Sequence, residues 1–425
     1  MGIQKDIREL VSANVITEQT AKDISTYYNQ KKSEPNNRLF IVFGILGAIL
    51  VGLGIILIIA HNWDDLSKPT KTVFAFLPLV IGQILCLYVI LKRQGETAWK
   101  EGAGAFLTFA IGASISLVSQ IYNIPGDLSS FMLTWMLLTA PLIYLLRSSI
   151  VSLLYIAGIT YYVSETAYWS YPYSEPWPYW GMLLLMLPYY YQLFKKRSES
   201  NFTLFHHWLV PLSLTITLGS IAVKHEELLF VTYLSLFGLF YGIGHSAHFK
   251  ERSTRSNGYK TIGSLGTAGL LLVLSFNKVW KDLFRTSFAE SVWLSPEFLA
   301  TFLLIILTMY MIWYNYQKDK TIKPISFTFL VFALIFSIGQ YDVIAALLIN
   351  LLVFAMGILT VLEGAKKDNL GILNYGLLII TALVMCRFFD TNISFVLRGL
   401  LFVGVGVAFF LTNMWMLKKR RANDQ

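Results

Sequence analysis

Charge is what this chain has least of. Only 14% of its 425 residues are Asp, Glu, Lys or Arg, where a soluble globular chain carries about 25%. Hydrophobic residues supply 55% and the mean hydropathy is +0.58. A chain so composed cannot hide its apolar surface in water, which excludes a soluble globular protein. Cysteine is nearly missing too: Cys86 and Cys386 both fall inside apolar runs, which argues against a disulfide framework or a zinc site. Residues 1–38 are polar and lack the apolar central stretch of a cleavable signal, so the first apolar run is expected to act as its own insertion signal. There is no phosphate-binding glycine loop ending in Lys-Ser/Thr, no zinc-protease helix and no serine elbow. That argues against a nucleotide-driven pump, and neither a cofactor nor a metal is anticipated. His245 and His248 lie in a basic loop without a third ligand nearby, and His206-His207 reads as an interfacial pair.

What the chain has in abundance is long apolar runs. Leu39 to Ala60 holds 22 residues without a charge, more than the roughly 20 that cross a hydrocarbon core at about 1.5 Å each. Gly44, Ala48 and Gly52 recur every four residues along it, leaving one nearly bare face that another helix can approach closely. It is expected to be the central packing helix. Thirteen further apolar segments follow, at about 72–91, 102–121, 131–146, 150–163, 179–194, 204–223, 228–244, 261–276, 296–316, 324–339, 343–362, 370–386 and 392–417. The expected fold is therefore an all-α polytopic transmembrane bundle of about 14 spans. Segment 150–163 is short for a full crossing.

The net charge of +9 does not point to nucleic acid, because the basic residues sit in short clusters between apolar runs. With a cytoplasmic N-terminus, inner segments hold 26 Lys and Arg and outer loops hold 7; Arg398, inside the last span, completes the 34. Such a bias sets orientation in the membrane. It predicts a protein of the inner (cytoplasmic) membrane with both termini cytoplasmic and Lys418-Lys419-Arg420-Arg421 as a basic anchor.

Two regions follow from composition. Residues 1–36 form a cytosolic head and linker, with Ile7, Leu10, Val11, Val15, Ile16, Ala21, Ile24 and Tyr27 spaced for two short amphipathic helices and Thr17 as N-cap of the second. This hairpin either rests on the membrane surface or docks a cytosolic protein. Residues 37–425 form the transmembrane domain, whose short loops leave no room for a large soluble catalytic domain. The outer connection 164–178 carries Tyr168, Trp169, Tyr171, Tyr173 and Trp177, either an aromatic belt at headgroup depth or a stacking platform for a sugar or polyprenyl group.

Several stretches together resemble a known family. These are the amphipathic hairpin, the first span ending His61-Asn62-Trp63-Asp64, the run Ser119-Gln120-Ile121-Tyr122-Asn123-Ile124-Pro125-Gly126-Asp127, and the ending Arg387-Phe388-Phe389-Asp390 with Arg398-Gly399. They resemble the bacterial membrane proteins grouped as domain of unknown function 2157. The likeness is clearest to about residue 155 and again over roughly the last 60. It implies a polytopic inner-membrane protein and brings no activity, substrate or catalytic residue.

Polar groups inside spans are costly, so each is a functional candidate until a partner explains it. Thr108, Gly112, Ser116 and Gln120 form a small, polar stripe, serving either interhelical packing or a hydrated cavity. Arg398 lies about 9 Å below the outer boundary and needs water, a carboxylate or a snorkelling path. Asp390, two turns away, and Asp342, after Gln340, are its candidate partners. Under the charge-derived topology His61, Asp64, Gln120, Asp127, Asp342, Arg387, Asp390 and Arg398 all lie toward the outer face. If they converge they form a substrate-binding vestibule for a small solute or lipid head group. Three functions stay open: a transporter or flippase-like protein with that outward-facing site, a scaffold or sensor recruiting a partner through residues 1–36, and a membrane-embedded enzyme acting on a lipid-linked substrate. No catalytic set is legible.

Overall fold

The computed structural model describes residues 7, 10–13, 15–32, 63–169, 174–222, 224–249, 256–283, 290–320, 324–339, 344–390 and 394–423. They fold as helices joined by short turns, with no strand among the described residues. The chain divides into two compact units, residues 1–74 and 75–425.

In the first unit α1 (Glu18–Lys32) begins where expected. The Thr17 hydroxyl accepts the backbone N–H of Thr20 at 3.2 Å, satisfying one of the amides that a helix start leaves open. A turn at Trp63–Asp65 precedes α2 (Lys68–Lys92), whose main length belongs to the second unit.

The second unit continues with α3 (Thr97–Tyr122), α4 (Leu128–Leu145), α5 (Ser149–Ser164), α6 (Pro178–Lys196), α7 (Asn201–Leu218) and α8 (Leu229–Gly244). Next come α9 (Gly258–Leu274), the short α10 (Asn277–Leu283), α11 (Pro296–Asp319), α12 (Thr328–Gly339), α13 (Ala345–Lys366), α14 (Leu370–Asp390) and α15 (Phe395–Asn423). Local chemistry fixes many of the starts. Asp127, Ser148, Ser200, Asn257 and Ser295 each accept a backbone N–H from three residues onward, as N-caps do.

Among the described residues nine helices are long and apolar enough to cross a membrane. The expected count of fourteen is not reproduced. α9 has 17 residues and α12 has 12, short of a hydrocarbon core at about 1.5 Å per residue. The run from Leu39 to Ala60, expected to be the central packing helix, lies outside the described residues. Segment 150–163 looked too short for a crossing. In the structure α5 continues through a π turn, Glu165–Trp169, so that Ser149–Trp169 spans 21 residues.

Two buried clusters hold the second unit together. One gathers Met136, Tyr155, Ile159, Met182 and Met186 around α5. The other gathers Leu271, Leu274, Trp280, Phe332, Ile349 and Val353. α8 contributes to both and is the most buried of the nine candidate spans. Hydroxyls join helices inside the first: Thr160 Oγ1 to Ser213 Oγ at 2.6 Å, and Tyr179 Oη to the same Ser213 Oγ at 2.8 Å. On α11, by contrast, Leu299, Phe302, Leu303, Ile306 and Tyr310 form an exposed apolar stripe. Their spacing of three and four residues marks one face of the helix, the kind of surface that contacts lipid.

Close helix approach depends on missing side chains. At Gly263 of α9 an added Cβ would lie 2.6 Å from both the carbonyl oxygen of Phe237 and the amide nitrogen of Tyr241 on α8. Both are backbone atoms and cannot swing aside. Gly263→Ala is therefore expected to force α8 and α9 apart and to cost about 1–3 kcal/mol, read as a lower unfolding midpoint in detergent. Gly269→Ala on the same helix, with open space around it, is the control that should leave the midpoint unchanged.

Candidate functional site

The sequence-predicted site residues divide between separate neighbourhoods. His61 and Asp342 lie outside the described residues. Asp64 is exposed in the turn before α2. Arg398 falls in the first turn of α15, and its side chain is outside what the structure describes. Gln120 is exposed at the end of α3, and Asp127 is exposed after the turn that follows it. Arg387 and Asp390 are together, but at the end of α14.

Arg387 and Asp390 form a clasp over the α9–α10 corner. Arg387 Nη1 donates to Asp390 Oδ2 at 2.6 Å, and Nη2 donates to Ser275 Oγ at 3.0 Å. The guanidinium lies 5.3 Å from the centre of the Phe276 ring. The Asp390 carboxylate also receives Asn277 N at 3.2 Å on both oxygens and Asn277 Nδ2 at 2.7 Å. It thereby caps α10, whose first residue is Asn277. Asn350 Nδ2 donates to the Ser275 carbonyl at 3.0 Å, bringing α13 into the same corner. The Asp390 side chain is 8% exposed. Three donors therefore share its two oxygens, with the Asn277 amide bifurcated between them. As it stands, the arrangement is a structural brace.

Asp127 sits differently. Its side chain accepts Ser130 N at 2.8 Å and Ser130 Oγ at 2.9 Å, which holds its carboxyl below the ordinary carboxylate range. The sign follows: stabilisation is complete above the unfolded-state pKa and fades on acidification through the lowered one. The preceding turn closes with Asn123 at φ 51°, a left-handed conformation that Asn tolerates better than most residues.

This turn stands at one end of an open groove of about 1160 Å³ between α2, α3 and α4. At the turn Ser119, Asp127 and Ser130 line it beside Ile124, Pro125 and Leu128, with Ser116 and Thr134 about a helical turn further in. Farther along, the walls are mainly Leu79, Leu87, Ile90, Leu107, Leu138, Leu142 and Leu145, with Gln83 polar among them at the level of Leu107. From Asp127 to Leu145 along α4 the groove runs about 27 Å at 1.5 Å per residue. The polar stripe of α3 contributes only in part. Trp135 Nε1 donates to the Thr108 carbonyl at 2.7 Å, and an added Cβ at Gly112 would meet the Trp135 ring at 2.5 Å, so that half of the stripe is packing. Ser116 faces the groove.

The structure also brings forward residues that sequence reasoning passed over. Glu101, 5% exposed at the start of α3, accepts from the Ser148 hydroxyl and from the amides of Ser149 at 3.0 Å and Ile150 at 2.7 Å. Glu297, fully buried, accepts Lys224 N at 2.7 Å. His206 and His207 are buried among the helices: His206 Nε2 bonds Ser152 Oγ at 2.9 Å, and its ring stacks on Tyr190. In the aromatic connection Tyr168 donates to the Ile216 carbonyl at 2.8 Å, while Trp169 and Trp177 are exposed. Tyr171 and Tyr173 lie outside the described residues.

Long apolar helices, lipid-type exposed faces and interhelical hydroxyl bonds define a multi-pass helical membrane protein in contact with the bilayer. Within that class, residues 8–152 match the model of a family described as predicted membrane protein (DUF2157), whose function is unknown. The matched stretch contains every residue lining the groove. No curated protein and no solved structure matches the chain.

Proposed function

We propose that this protein binds an amphipathic lipid in the groove between α2, α3 and α4, and that it acts as a transporter or flippase-like protein of the inner membrane with both termini cytoplasmic. One observation carries the reading: Asp127, Ser119 and Ser130 gather at one end of the groove, and mainly Leu and Ile side chains line the rest. That gradient suits a head group and an acyl chain, and it suits a small polar solute poorly. Ligand sites of this kind pair apolar walls with a few placed polar groups. The orientation is supported by the division of Lys and Arg described above.

The test uses the full chain in nanodiscs containing a photoactivatable phospholipid whose reactive group sits in the acyl chain. Labelling is expected to concentrate on α2 and α4, around Leu79 and Leu138, and to be competed by unlabelled lipid. Thr134→Trp fills the groove near its polar end and should reduce this labelling several-fold while labelling of the α11 stripe stays constant. Equal labelling of all lipid-facing helices, unaffected by Thr134→Trp, would overturn the reading.

A further inference from the structure

The opposite ends of α3 and α4 from Asp127 open into a second cavity, of about 390 Å³, within the size range of small-ligand sites. Lys100, Arg147, Lys196 and Arg197 line it, with Tyr189 and Gln192 among its neutral groups. They come from the start of α3 (Lys100), the α4–α5 turn (Arg147) and the end of α6 with the residue after it (Lys196, Arg197), which the helix packing draws together. No carboxylate lines it. Glu101, next to Lys100 in sequence, is turned to the first amides of α5 and is fully engaged there. Among the described residues none of the four cations has an ion-pair or hydrogen-bond partner for its side chain.

Lys100 sets this cavity apart from an ordinary cluster of interfacial cations. As a residue it is only 9% exposed, so its ammonium has little access to water and no protein partner, which is costly. Long cationic side chains at a membrane surface normally carry their charge out to water. Lys100 instead lines the cavity alongside three more positive charges that repel it. An anion in the cavity would relieve both costs at once. Arg147 follows the end of α4 at φ 50°, the left-handed conformation that Asn123, Lys320 and Asp368 also adopt at helix ends.

We infer that the cavity bounded by Lys100, Arg147, Lys196 and Arg197 is a binding site for a phosphate-type anion, a phosphomonoester or phosphodiester. Guanidinium groups offer paired donors to phosphate oxygens, and lysine offers a point charge. The ligand's source is either an anionic phospholipid head group or a soluble phosphate compound. This site lies about 28 Å along α3 from Ser119, judged from 19 residues at 1.5 Å each, and does not depend on the groove proposal.

Full-length protein in maltoside detergent micelles, which hold no phosphate, separates the sources. One arm adds phosphatidylglycerol to the micelles, the other adds glycerol 1-phosphate to the buffer, and both read the unfolding midpoint together with bound ligand by native mass spectrometry. Stabilisation in the lipid arm alone supports the site with a head group as ligand. Stabilisation by glycerol 1-phosphate supports it with a soluble ligand. Lys100→Met keeps the chain's length and apolar contacts, and should weaken binding roughly tenfold or more, the range for one lost charged hydrogen bond. Arg147→Gly is the second variant. Glycine accepts the left-handed conformation, so its apo midpoint should hold or rise while binding falls. Lys318→Met, at the far end of α11, should bind as the wild type does. Binding in Lys100→Met and Arg147→Gly equal to the wild type, or no response in either arm, overturns the inference.

Discussion

Asp390→Ala is expected to lower the unfolding free energy by about 3–5 kcal/mol, the range for breaking a largely buried ion pair from one side. The loss has two sources. The first is the charge of Arg387, whose side chain is 19% exposed and which would keep its place beside Ser275 and Phe276 without the carboxylate that balances it. The second is the start of α10: Asn277 N and Nδ2 both donate to Asp390, and a short helix depends on such a cap. Below that corner Trp280 is fully buried and donates to the Leu274 carbonyl at 2.6 Å, so loosening α10 reaches the centre of the second cluster. The pair Asp390→Leu with Arg387→Met distinguishes the two sources. Removing both charges leaves no uncompensated ion, and such replacements are often close to neutral. A double variant about as stable as wild type would assign the loss to the orphaned arginine. One as unstable as Asp390→Ala would assign it to the cap on Asn277. Denaturant titration of the wild type and the two variants in detergent measures all of these.

That corner also marks the limit of what sequence can tell. Arg387 and Asp390 stood out as outer-face polar groups, Asp390 as a candidate partner for Arg398, whereas in the structure Asp390 pairs with Arg387 three residues away on one helix. Ser275 and Asn277, which complete the brace, lie 113 positions earlier in the case of Asn277, and no local pattern ties them to α14. Helices were legible for the same reason: hydropathy and the Ser, Asp and Asn caps act over a few residues. The α5 boundary was missed because Glu165, Thr166, Tyr168 and Trp169 are polar or aromatic, and a hydropathy reading stops where the helix only changes to a π turn. The polar stripe of α3 was visible, but its division was not. Thr108 and Gly112 are packed because Trp135 happens to cross there, and Ser116 faces the groove because nothing described does. Both cavities are tertiary facts of this kind. Lys100, Arg147, Lys196 and Arg197 read individually as the positive charge of inner loops, and only packing shows that they share one space.

Glu101→Leu should cost about 3 kcal/mol or more. Its carboxylate is the acceptor for the amides of Ser149 and Ile150 and for the Ser148 hydroxyl. It also places a negative charge at the N-terminus of α5, where the helix dipole favours one. Bonds to a charged group contribute about 1.5–3 kcal/mol each, and buried donors left unpaired are costly in addition. Leucine restores apolar contact but accepts nothing, and Ser149 is 1% exposed, so water reaches its amide poorly. The strain would pass up α5 through Ser149 Oγ with Tyr189 Oη at 2.9 Å and Ser152 Oγ with His206 Nε2 at 2.9 Å, both inside the first cluster. Glu101→Gln keeps one carbonyl oxygen and turns an NH2 toward donors, so about half the loss is expected. Amide hydrogen exchange gives the decisive reading, because a cap failure has a location: protection should fall first at Ser149, Ile150 and Val151 and persist at Ile159. Uniform loss along α5 would mean that Glu101 supports the bundle as a whole, and unchanged protection at Ser149 and Ile150 would mean that the carboxylate does not hold this helix start.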